Sequence, residues 1–576
     1  MRILCCCFFL LSIANVFAQD RGEIIQQRIE FISEQLQSEN MDLTNVIEQL
    51  NYYFDHPINL NTTSGEELEE LYLLTGVQIN DLLLHRKAFG KFISIYELQS
   101  LSFWDPQTIQ LVLPFIRVDD RLDQLHITWK EAMKQGKFEE YLRYQPMMES
   151  KAGYADVSDS VRQTSNKYYY GNGDRYYSRF RYTYKTNISV GLTTEKDAGE
   201  QFFRGNQKQG FDFYSAHAFF KGGKYLKSAV IGDYQIQVGQ GLNLWSSYAF
   251  GKTSDLTTMK RTAIPIRAYT SVDESRFLRG AAADFGYRNW SLLVFASQKK
   301  MDGVTLSDST YDELEFVSTI DLTGLHRTTN EIAKKNGLNE RILGANVRYV
   351  NGAFRWGGAL VHQGYDKPYT KDIQYYNQFD FRGTTFTSLS SDYSYVFRNM
   401  NLFGEVSKVL RPDVAAQNGW AMVHAVMMSL DPRFSFGVLY RNYQKDYQTL
   451  YNAGFSEGSN TQNEQGTYAA FKWKLASAWS INAYADLFKF PWMKYGVDAP
   501  SYGHEILIQP IYRPSKTFEI YGRFRQQLRQ KNSRDSDGTV TEIEDVMQRN
   551  YSLNMSCVLY EFISLKTRLE YVTINR

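Results

Sequence analysis

The side chains best suited to acid–base or metal chemistry in this chain of 576 residues are its eight histidines. No two of them stand at the short spacing that protein metal sites use. One candidate for a polar site is His504, because the adjacent residue is Glu505. That pair stands at the start of an alternating segment, where we expect a polar structural role. The pattern predicts no metal, no cofactor and no catalytic constellation.

A glycine-rich stretch near residue 240 invites comparison with a phosphate-binding loop. It ends in the Gly-Lys-Thr triplet at 251–253, but the phosphate loop also needs a glycine at the position where this chain has Ser246. A nucleotide site is therefore not predicted. Gly239 and Gly241 are instead expected to permit a sharp bend where the chain leaves a strand.

The first 18 residues have the composition of a secretory signal. Arg2 precedes an apolar run from Ile3 to Val16, and a small-residue step follows just before Gln19. Three of the four cysteines lie inside this segment, so Cys557 is left alone and no disulfide framework is available. We expect that cysteine to be a small strand residue. After the signal no apolar run of roughly 18 residues remains, which excludes a transmembrane helix on length.

The spacing of apolar residues changes near residue 137. From Arg21 to that point they recur at helical spacing, whereas downstream they alternate with polar residues, as in 517–529. Tyr, Phe and Trp are abundant, at 41, 37 and 9 copies, and the formal net charge of +1 does not indicate a nucleic-acid partner. We predict a helical region over 19–136 and a β domain over 137–576.

Connection lengths distinguish a membrane barrel from a soluble all-β protein, which remains the alternative. Tight turns alternate strictly with long polar segments, among them 150–173, 299–339, 444–464 and 530–548. The nine turns are predicted near Asn187, Gly222, Arg288, Asn351, Arg398, Asp431, Ser477, Arg513 and Phe562. Short periplasmic turns, long outer loops and strands of roughly 10 residues are typical of outer-membrane barrels. A closed barrel also pairs every backbone group, as lipid requires.

The strand count is expected to be 18 to 20. Nine turns join eighteen strands, and the segment Glu139–Glu149 adds one, which makes 19 by the sequence. Bacterial single-chain barrels have even numbers of strands, and this topology leaves the strand Ser564–Val572 ending on the outer side. Because the chain also finishes without a terminal aromatic residue, we expect it to be C-terminally incomplete; a miscounted strand is the alternative.

The helical region contains a stretch with a characteristic order of motifs. It comprises Asn-Leu-Asn-Thr-Thr at 59–63, Thr-Gly-Val at 75–77 and Gly-Lys-Phe at 90–92. These residues resemble the helix-hairpin-helix family, in the form found in secreted competence-type DNA receptors, and the match covers about 56–118. The resemblance implies helices joined by a tight hairpin at Gly76, whose exposed backbone N–H groups hold a DNA phosphate.

This module departs from the family pattern in ways that argue against DNA. Gln78 replaces the second hairpin glycine, and residues 56–118 carry four basic and seven acidic residues, a net charge of −3. Phosphate binding depends on Lys and Arg, so we predict a compact periplasmic adaptor for an envelope protein. Asn61 or Thr62 is expected to cap its first helix. The candidate contacts with phosphate or partner are Thr75, Gly76, Val77, Gln78, Lys87 and Lys91.

The connection from Val238 to Glu274 is expected to fold into the barrel. Its aromatic bulk is costly to expose, and it would pack against a polar-aromatic wall that includes Tyr484 and Tyr521. The candidate plug residues are Gly239, Gly241, Trp245 and Phe250. Together with the helical module, this stretch resembles a family of bacterial outer-membrane barrels that carry an N-terminal helix-hairpin-helix domain.

These observations predict an outer-membrane β-barrel that acts as a pore, a transporter or an envelope anchor. The barrel contacts outer-membrane lipid, and the helical module lies in the periplasm and binds protein. A DNA-uptake receptor and an envelope-assembly partner are the alternatives. Enzymatic activity is not predicted, and the sequence does not indicate a cargo.

Overall fold

A computed structural model describes residues 50–119 and 129–575, apart from 52, 64, 70, 72, 105, 150, 185–186, 248, 250, 309–313, 413–417, 516, 535–537, 539 and 561–562. The predicted signal and Phe250 therefore lie outside the described residues. The chain divides into two compact units, one of residues 1–123 with 250–259 and one of residues 124–249 with 260–576. Among the described residues, no helix has the length and apolar character needed to cross a membrane.

The first unit is a small helical module. Two short strands, β1 and β2, pair in parallel and bring its two ends together. Leucine and aromatic side chains, such as Leu60, Leu82 and Phe115, form its fully buried core. Its elements are β1 (Ile58–Asn59), α1 (Glu66–Glu69), α2 (Gly76–Phe89), a 3-10 helix (Ile95–Ser100), α3 (Pro106–Val112), a 3-10 helix (Leu113–Phe115) and β2 (Ile116–Arg117).

Two local expectations for this module are wrong. Helix α1 begins at Glu66, so neither Asn61 nor Thr62 caps it. The Asn61 side chain instead donates to the carbonyl of Phe92, at 3.0 Å, and accepts the N–H of the same residue, at 2.8 Å. Gly76 is the first residue of α2 and does not adopt a positive φ. The turn into α2 therefore does not require the conformational freedom of glycine there.

The second unit is a closed barrel in which wall strands that follow one another in the chain pair antiparallel, and helix α4 (Trp129–Gln135) precedes it. Its strands are β3 (Lys137–Gln145), β4 (Arg175–Tyr184), β5 (Ile188–Lys196), β6 (Phe213–Lys221), β7 (Leu226–Ile236), β8 (Ile266–Ala268), β9 (Leu278–Tyr287), β10 (Trp290–Asp308), β11 (Leu314–Asp321), β12 (Leu338–Asn351), β13 (Phe354–Tyr369), β14 (Gly383–Phe397), β15 (Met400–Leu410), β16 (Trp420–Asp431), β17 (Phe434–Tyr443), β18 (Glu464–Lys474), β19 (Trp479–Phe490), β20 (Ser501–Tyr512), β21 (Phe518–Arg534), β22 (Val540–Tyr560) and β23 (Ile563–Asn575).

The short strands β8 and β11 are not part of the continuous series of wall strands, because β7 pairs directly with β9 and β10 pairs directly with β12. The other nineteen strands from β3 onward form the wall in the described part of the chain, in agreement with the count from the sequence. Short helices occur in the long connections, namely α5 (Asp159–Thr164), α6 (Thr329–Lys334) and 3-10 turns at Ala152–Tyr154, Leu256–Met259 and Tyr375–Asn377.

Eight of the nine predicted tight turns fall between consecutive paired strands, and the ninth, near Phe562, lies outside the described residues. Two predicted long connections are shorter than expected. Strand β10 continues to Asp308, and β21 and β22 remain paired as far as Arg534 and Val540. In these extensions both faces of the strands are largely polar. The backbone pairing therefore extends beyond the point at which apolar alternation can be recognised in the sequence.

The side chains of the wall alternate between interior and exterior. On β19, Tyr484 and Asp486 are buried inside the barrel. Leu487, the next residue along the strand, points to the opposite face and is 62% exposed. Ile231 on β7 is 70% exposed in the same way, and Leu343 on β12 also faces outward. Apolar side chains therefore face outward on these strands, the arrangement that a lipid-facing barrel requires. The interior is mixed, because buried polar residues accompany an apolar cluster that includes Leu293, Phe295 and Ile342.

Candidate functional site

After β7 the chain turns into the interior of the barrel; we call residues 237–247 the inward segment. Gly239 and Gly241 within it have φ values of 57° and 84°. Residues that carry a side chain rarely adopt positive φ values of this size. A Cβ atom on Gly239 would also lie 2.7 Å from a carboxylate oxygen of Glu405. Both the bend and the close approach therefore require glycine, and Trp245 is buried further along the same segment.

The carboxylate of Glu405, on β15, holds the inward segment. It accepts backbone N–H groups from Gln240 at 2.6 Å, from Leu242 at 3.1 Å and from Asn243 at 3.3 Å. Glu405 itself is fully buried. Because three backbone donors of one short segment converge on one carboxyl group, the conformation of the segment depends strongly on this side chain.

Strand β14 provides the next contacts. Ser388 donates to the side-chain carbonyl of Asn243 at 2.5 Å, and the amide of Asn243 donates to Ser390 at 3.1 Å. The wall expected from the sequence, with Tyr484 and Tyr521, is not the one that makes these contacts. Both tyrosines are buried on other strands, whereas β14 and β15 offer the carboxylate and hydroxyl groups that the polar groups of the segment need.

A second long connection, residues 444–463, also folds inward and closes over the inward segment. Tyr447 donates its hydroxyl to the carbonyl of Leu242 at 2.8 Å. The N–H of Trp245 donates to the carbonyl of Tyr451 at 2.7 Å. Tyr447 is fully buried and Tyr451 nearly so. Two connections from the same end of the barrel are thus joined to one another inside it.

A buried ion triplet lies at the far end of this second connection. Arg441 on β17 donates from Nε to Glu464 at 2.5 Å, and its two terminal nitrogens donate to Asp486 at 2.8 and 3.0 Å. All three side chains are fully buried. Glu464 also accepts the N–H groups of Glu457 and Gly458. Such a triplet is stable only while every charge is paired.

A second polar cluster joins long connections on the side opposite to the short turns. His326 contacts Asp212 through Nδ1, at 2.5 Å, and Asp302 through Nε2, at 2.8 Å. The backbone N–H of His326 donates to Glu200 at 3.0 Å, and Lys335 donates to the other oxygen of Asp212 at 2.6 Å. A cavity of about 630 Å³ opens beside these residues.

The protonation of this cluster follows from its burial and its charges. Burial disfavours the charged form of His326, but the hydrogen bonds and charges of Asp212 and Asp302 outweigh it and raise its pKa to about 10. Burial, together with the charge of Asp212, raises the pKa of Glu200 to about 7 and that of Glu274 to about 9. At neutral pH an imidazolium thus lies between two carboxylates.

The same cluster is the best candidate for a cation site among the described residues. Glu200, Asp212 and His326 offer ligand atoms within 4.8 Å of one another. Both ring nitrogens of His326 already contact carboxylates, so the geometry also fits a charge network that joins these connections. Local sequence does not predict this cluster, because His326 and Asp212 are 114 residues apart and lie in two different long connections.

The candidate contacts of the helical module do not form an open phosphate site. The hydroxyl of Thr75 accepts the N–H of Gln78 at 3.3 Å, and the side-chain carbonyl of Gln78 accepts the N–H of Thr75 at 2.9 Å. This capping box engages two backbone donors at the start of α2. Val77 is buried, whereas Lys87 and Lys91 are exposed.

Two pairs of residues in the wall that include a histidine, Ser189 with His217 and His504 with Glu505, have a structural role. Ser189 and His217 lie 3.0 Å apart on β5 and β6, but both are buried, which favours packing over catalysis. Glu505 faces inward, where it accepts from Arg525 at 2.9 Å. The adjacent His504 faces outward, because neighbouring strand residues point to opposite faces; the pair expected from the sequence is therefore divided between the two faces.

Comparison with known proteins supplies no family for this chain. No protein-family model matches it, and no curated protein matches it in sequence. Among solved structures, Pseudomonas aeruginosa OccK5 (OpdH) is 8% identical, with 77% of this chain and 97% of that chain covered and a TM-score of 0.32. For P. aeruginosa OccK9 (OpdG) these values are 11%, 75%, 97% and 0.33. For the outer-membrane OmpT of Vibrio cholerae they are 9%, 69%, 90% and 0.24. Because these TM-scores are low, we infer nothing about this protein from them.

Proposed function

We propose that the barrel spans a bacterial outer membrane. The support is the position of apolar side chains on the outside and the alternation of short and long connections. By that pattern the short turns are periplasmic. Strand β3 begins on the same side, since Lys137 pairs with Thr183 next to the turn after Tyr184. The chain therefore enters the barrel from the periplasmic side.

We further propose that the protein is an outer-membrane channel or transporter whose lumen is occluded by its own outer connections. The observation that carries this proposal is the convergence of three backbone N–H groups of the inward segment on Glu405. A free outer loop would be hydrated, whereas this segment is fixed by buried hydrogen bonds to the carboxyl group of Glu405. Passage of a solute then requires that the segment be displaced, so the resting protein conducts poorly.

Planar-bilayer recording of the intact protein tests this proposal. We expect low conductance from the native chain, and a clear increase when residues 239–245 are replaced by a Gly-Ser linker of equal length. A linker of the same composition in place of residues 156–160, in a different outer connection, serves as the control. Large, steady pores from the native chain would show that the lumen is open and would favour a general porin.

For the helical module we propose a helix-hairpin-helix fold that acts as a protein adaptor. The support is the use of the backbone donors at Thr75 and Gln78 within the module itself, together with its net charge of −3. A stoichiometric envelope protein recovered with the intact chain from native membranes is the expected result. We expect no retention of duplex DNA at physiological salt; micromolar binding with a steep salt dependence would favour a DNA-uptake receptor instead.

A further inference from the structure

The segment that follows α2 in the helical module presents large apolar side chains to solvent. Phe89 is 79% exposed, Ile93 92% and Tyr96 76%. Side chains exposed to this extent project from the surface and do not line a groove. Three of them within eight residues form an apolar patch, and patches of this kind mark interaction sites.

The backbone that carries this patch is fixed. Phe92, in its centre, is buried in the module core, and both its N–H and its carbonyl are bound by the Asn61 side chain. The carboxylate of Glu97 accepts the N–H groups of Ile93 and Ser94, at 2.7 and 2.9 Å. The apolar side chains are therefore presented by an ordered scaffold, and binding through them costs little ordering of the chain.

Positive charge accompanies the patch. Lys87 and Lys91 are neighbours of these residues in the sequence, as is Arg86, whose guanidinium donates to the carbonyl of Leu60. There is no acidic residue between Asp81 and Glu97. The side chains of Lys87 and Lys91 are exposed. A module with a net charge of −3 thus concentrates most of its positive charge beside its exposed apolar side chains. The partner that fits is anionic and apolar at once.

We propose that residues 86–97, the docking segment, bind the module to an anionic phospholipid surface. Phe89, Ile93 and Tyr96 enter the boundary between headgroups and acyl chains, and Lys87 and Lys91 contact lipid phosphates. The inference rests on the proposed location of the barrel in the outer membrane, which places such a surface on the same chain at high effective concentration. Docking would hold the adaptor against the inner face of that membrane.

The test uses the full chain in nanodiscs, with Cys557→Ser as the background and one new cysteine per variant. An environment-sensitive fluorophore is attached at Ile93→Cys, at Gln110→Cys on α3 as an exposed control, or at Leu343→Cys on the outer face of the barrel. Nanodiscs contain phosphatidylcholine alone or with phosphatidylglycerol, each with and without nitroxide-labelled lipid. We expect quenching by nitroxide at residue 93 in the anionic nanodiscs and none at residue 110.

The three labels separate failure of this inference from failure of the proposed function. Absence of quenching at residue 343 would overturn the membrane barrel itself. Quenching at 343 with a hydrated label at 93 would overturn the docking segment alone, and a label at 93 that is shielded from water but not quenched would indicate a protein contact instead. Lys87→Gln and Lys91→Gln should each lower the ratio of docked to undocked module by about fivefold, and equal quenching in zwitterionic nanodiscs would refute the role of charge.

Discussion

Replacement of Glu405 by alanine should open the barrel. Glu405 is the common acceptor for the N–H groups of Gln240, Leu242 and Asn243, and it is fully buried. Glu405→Ala leaves all three donors without a partner while the inward segment remains in place. Displacement of the segment, by contrast, exposes the donors to water. The substitution therefore destabilises the occluded state and leaves the open state almost unchanged.

The size of the effect follows from the number of donors. A buried N–H group without a partner costs about 1–3 kcal/mol, so three of them cost about 3 kcal/mol even at the lower limit. Each 1.4 kcal/mol is about a factor of ten, which predicts an increase of roughly a hundredfold in the ratio of open to occluded protein. Ser390→Ala removes a single acceptor for Asn243, and we expect about a fivefold change for a loss of about 1 kcal/mol.

The assay is the fraction of time that single molecules spend in a high-conductance state in planar bilayers. Each variant is first tested for heat-dependent electrophoretic mobility, so that a misfolded barrel is not counted as an occluded one. The native chain, Ser390→Ala and Glu405→Ala should form a graded series. If folded Glu405→Ala behaves like the native chain, the inward segment is not what blocks the lumen, and the reasoning from its hydrogen bonds is refuted.

Three further outcomes are expected. Arg441→Met removes the cation that Glu464 and Asp486 share, so the barrel should lose about 3–5 kcal/mol of stability, and its heat-dependent mobility shift should move to lower temperature; an unchanged shift would show that the triplet contributes nothing. Gln78→Ala removes the half of the capping box in which the Gln78 side chain accepts the N–H of Thr75 and should destabilise the helical module by about 1 kcal/mol, measured by limited proteolysis of the intact chain in urea. The pKa of His326, about 10 in the folded protein against 6.5 ordinarily, means that its stabilising contribution is complete below pH 6.5 and is lost as pH rises through 10. Protease cleavage of the outer connections should therefore increase over that range, and His326→Gln should remove this pH dependence.

The sequence predicted the wall of the barrel well, because the wall obeys local rules. The eight predicted tight turns in the described part of the chain fall between paired strands. A short polar connection between two alternating segments is long enough only for a β-hairpin. Alternation along 517–529 also predicted a strand where β21 (Phe518–Arg534) lies. The errors in the wall are confined to the strand ends near Asp308 and Arg534, where no apolar face remains to mark the strand.

The interior was less predictable, because its contacts join residues far apart in the chain. Glu405 is separated from Gln240 by 165 residues, and nothing in the local sequence of β15 distinguishes it from other inward-facing polar residues. The charge network at His326 was missed for the same reason. The composition near Gly239 indicated that the segment is buried, but only the assembled barrel brings it to Glu405, and not to the tyrosines that the sequence favoured.

The polarity of these interior contacts bears on whether the barrel opens. Two kinds of contact hold the inward segment. Val238 and Leu244 belong to a buried apolar cluster with wall residues such as Phe295 and Ile342, and displacement of the segment would expose that surface to water at about 25 cal/mol per Å². Glu405, Ser388 and Tyr447 form hydrogen bonds with the segment, which are replaced by bonds to water when it leaves. Such exchange costs only about 0.5–1.5 kcal/mol for each neutral bond. The polar attachment therefore adds little to the free energy of opening, whereas the apolar contacts of Val238 and Leu244 contribute most of it.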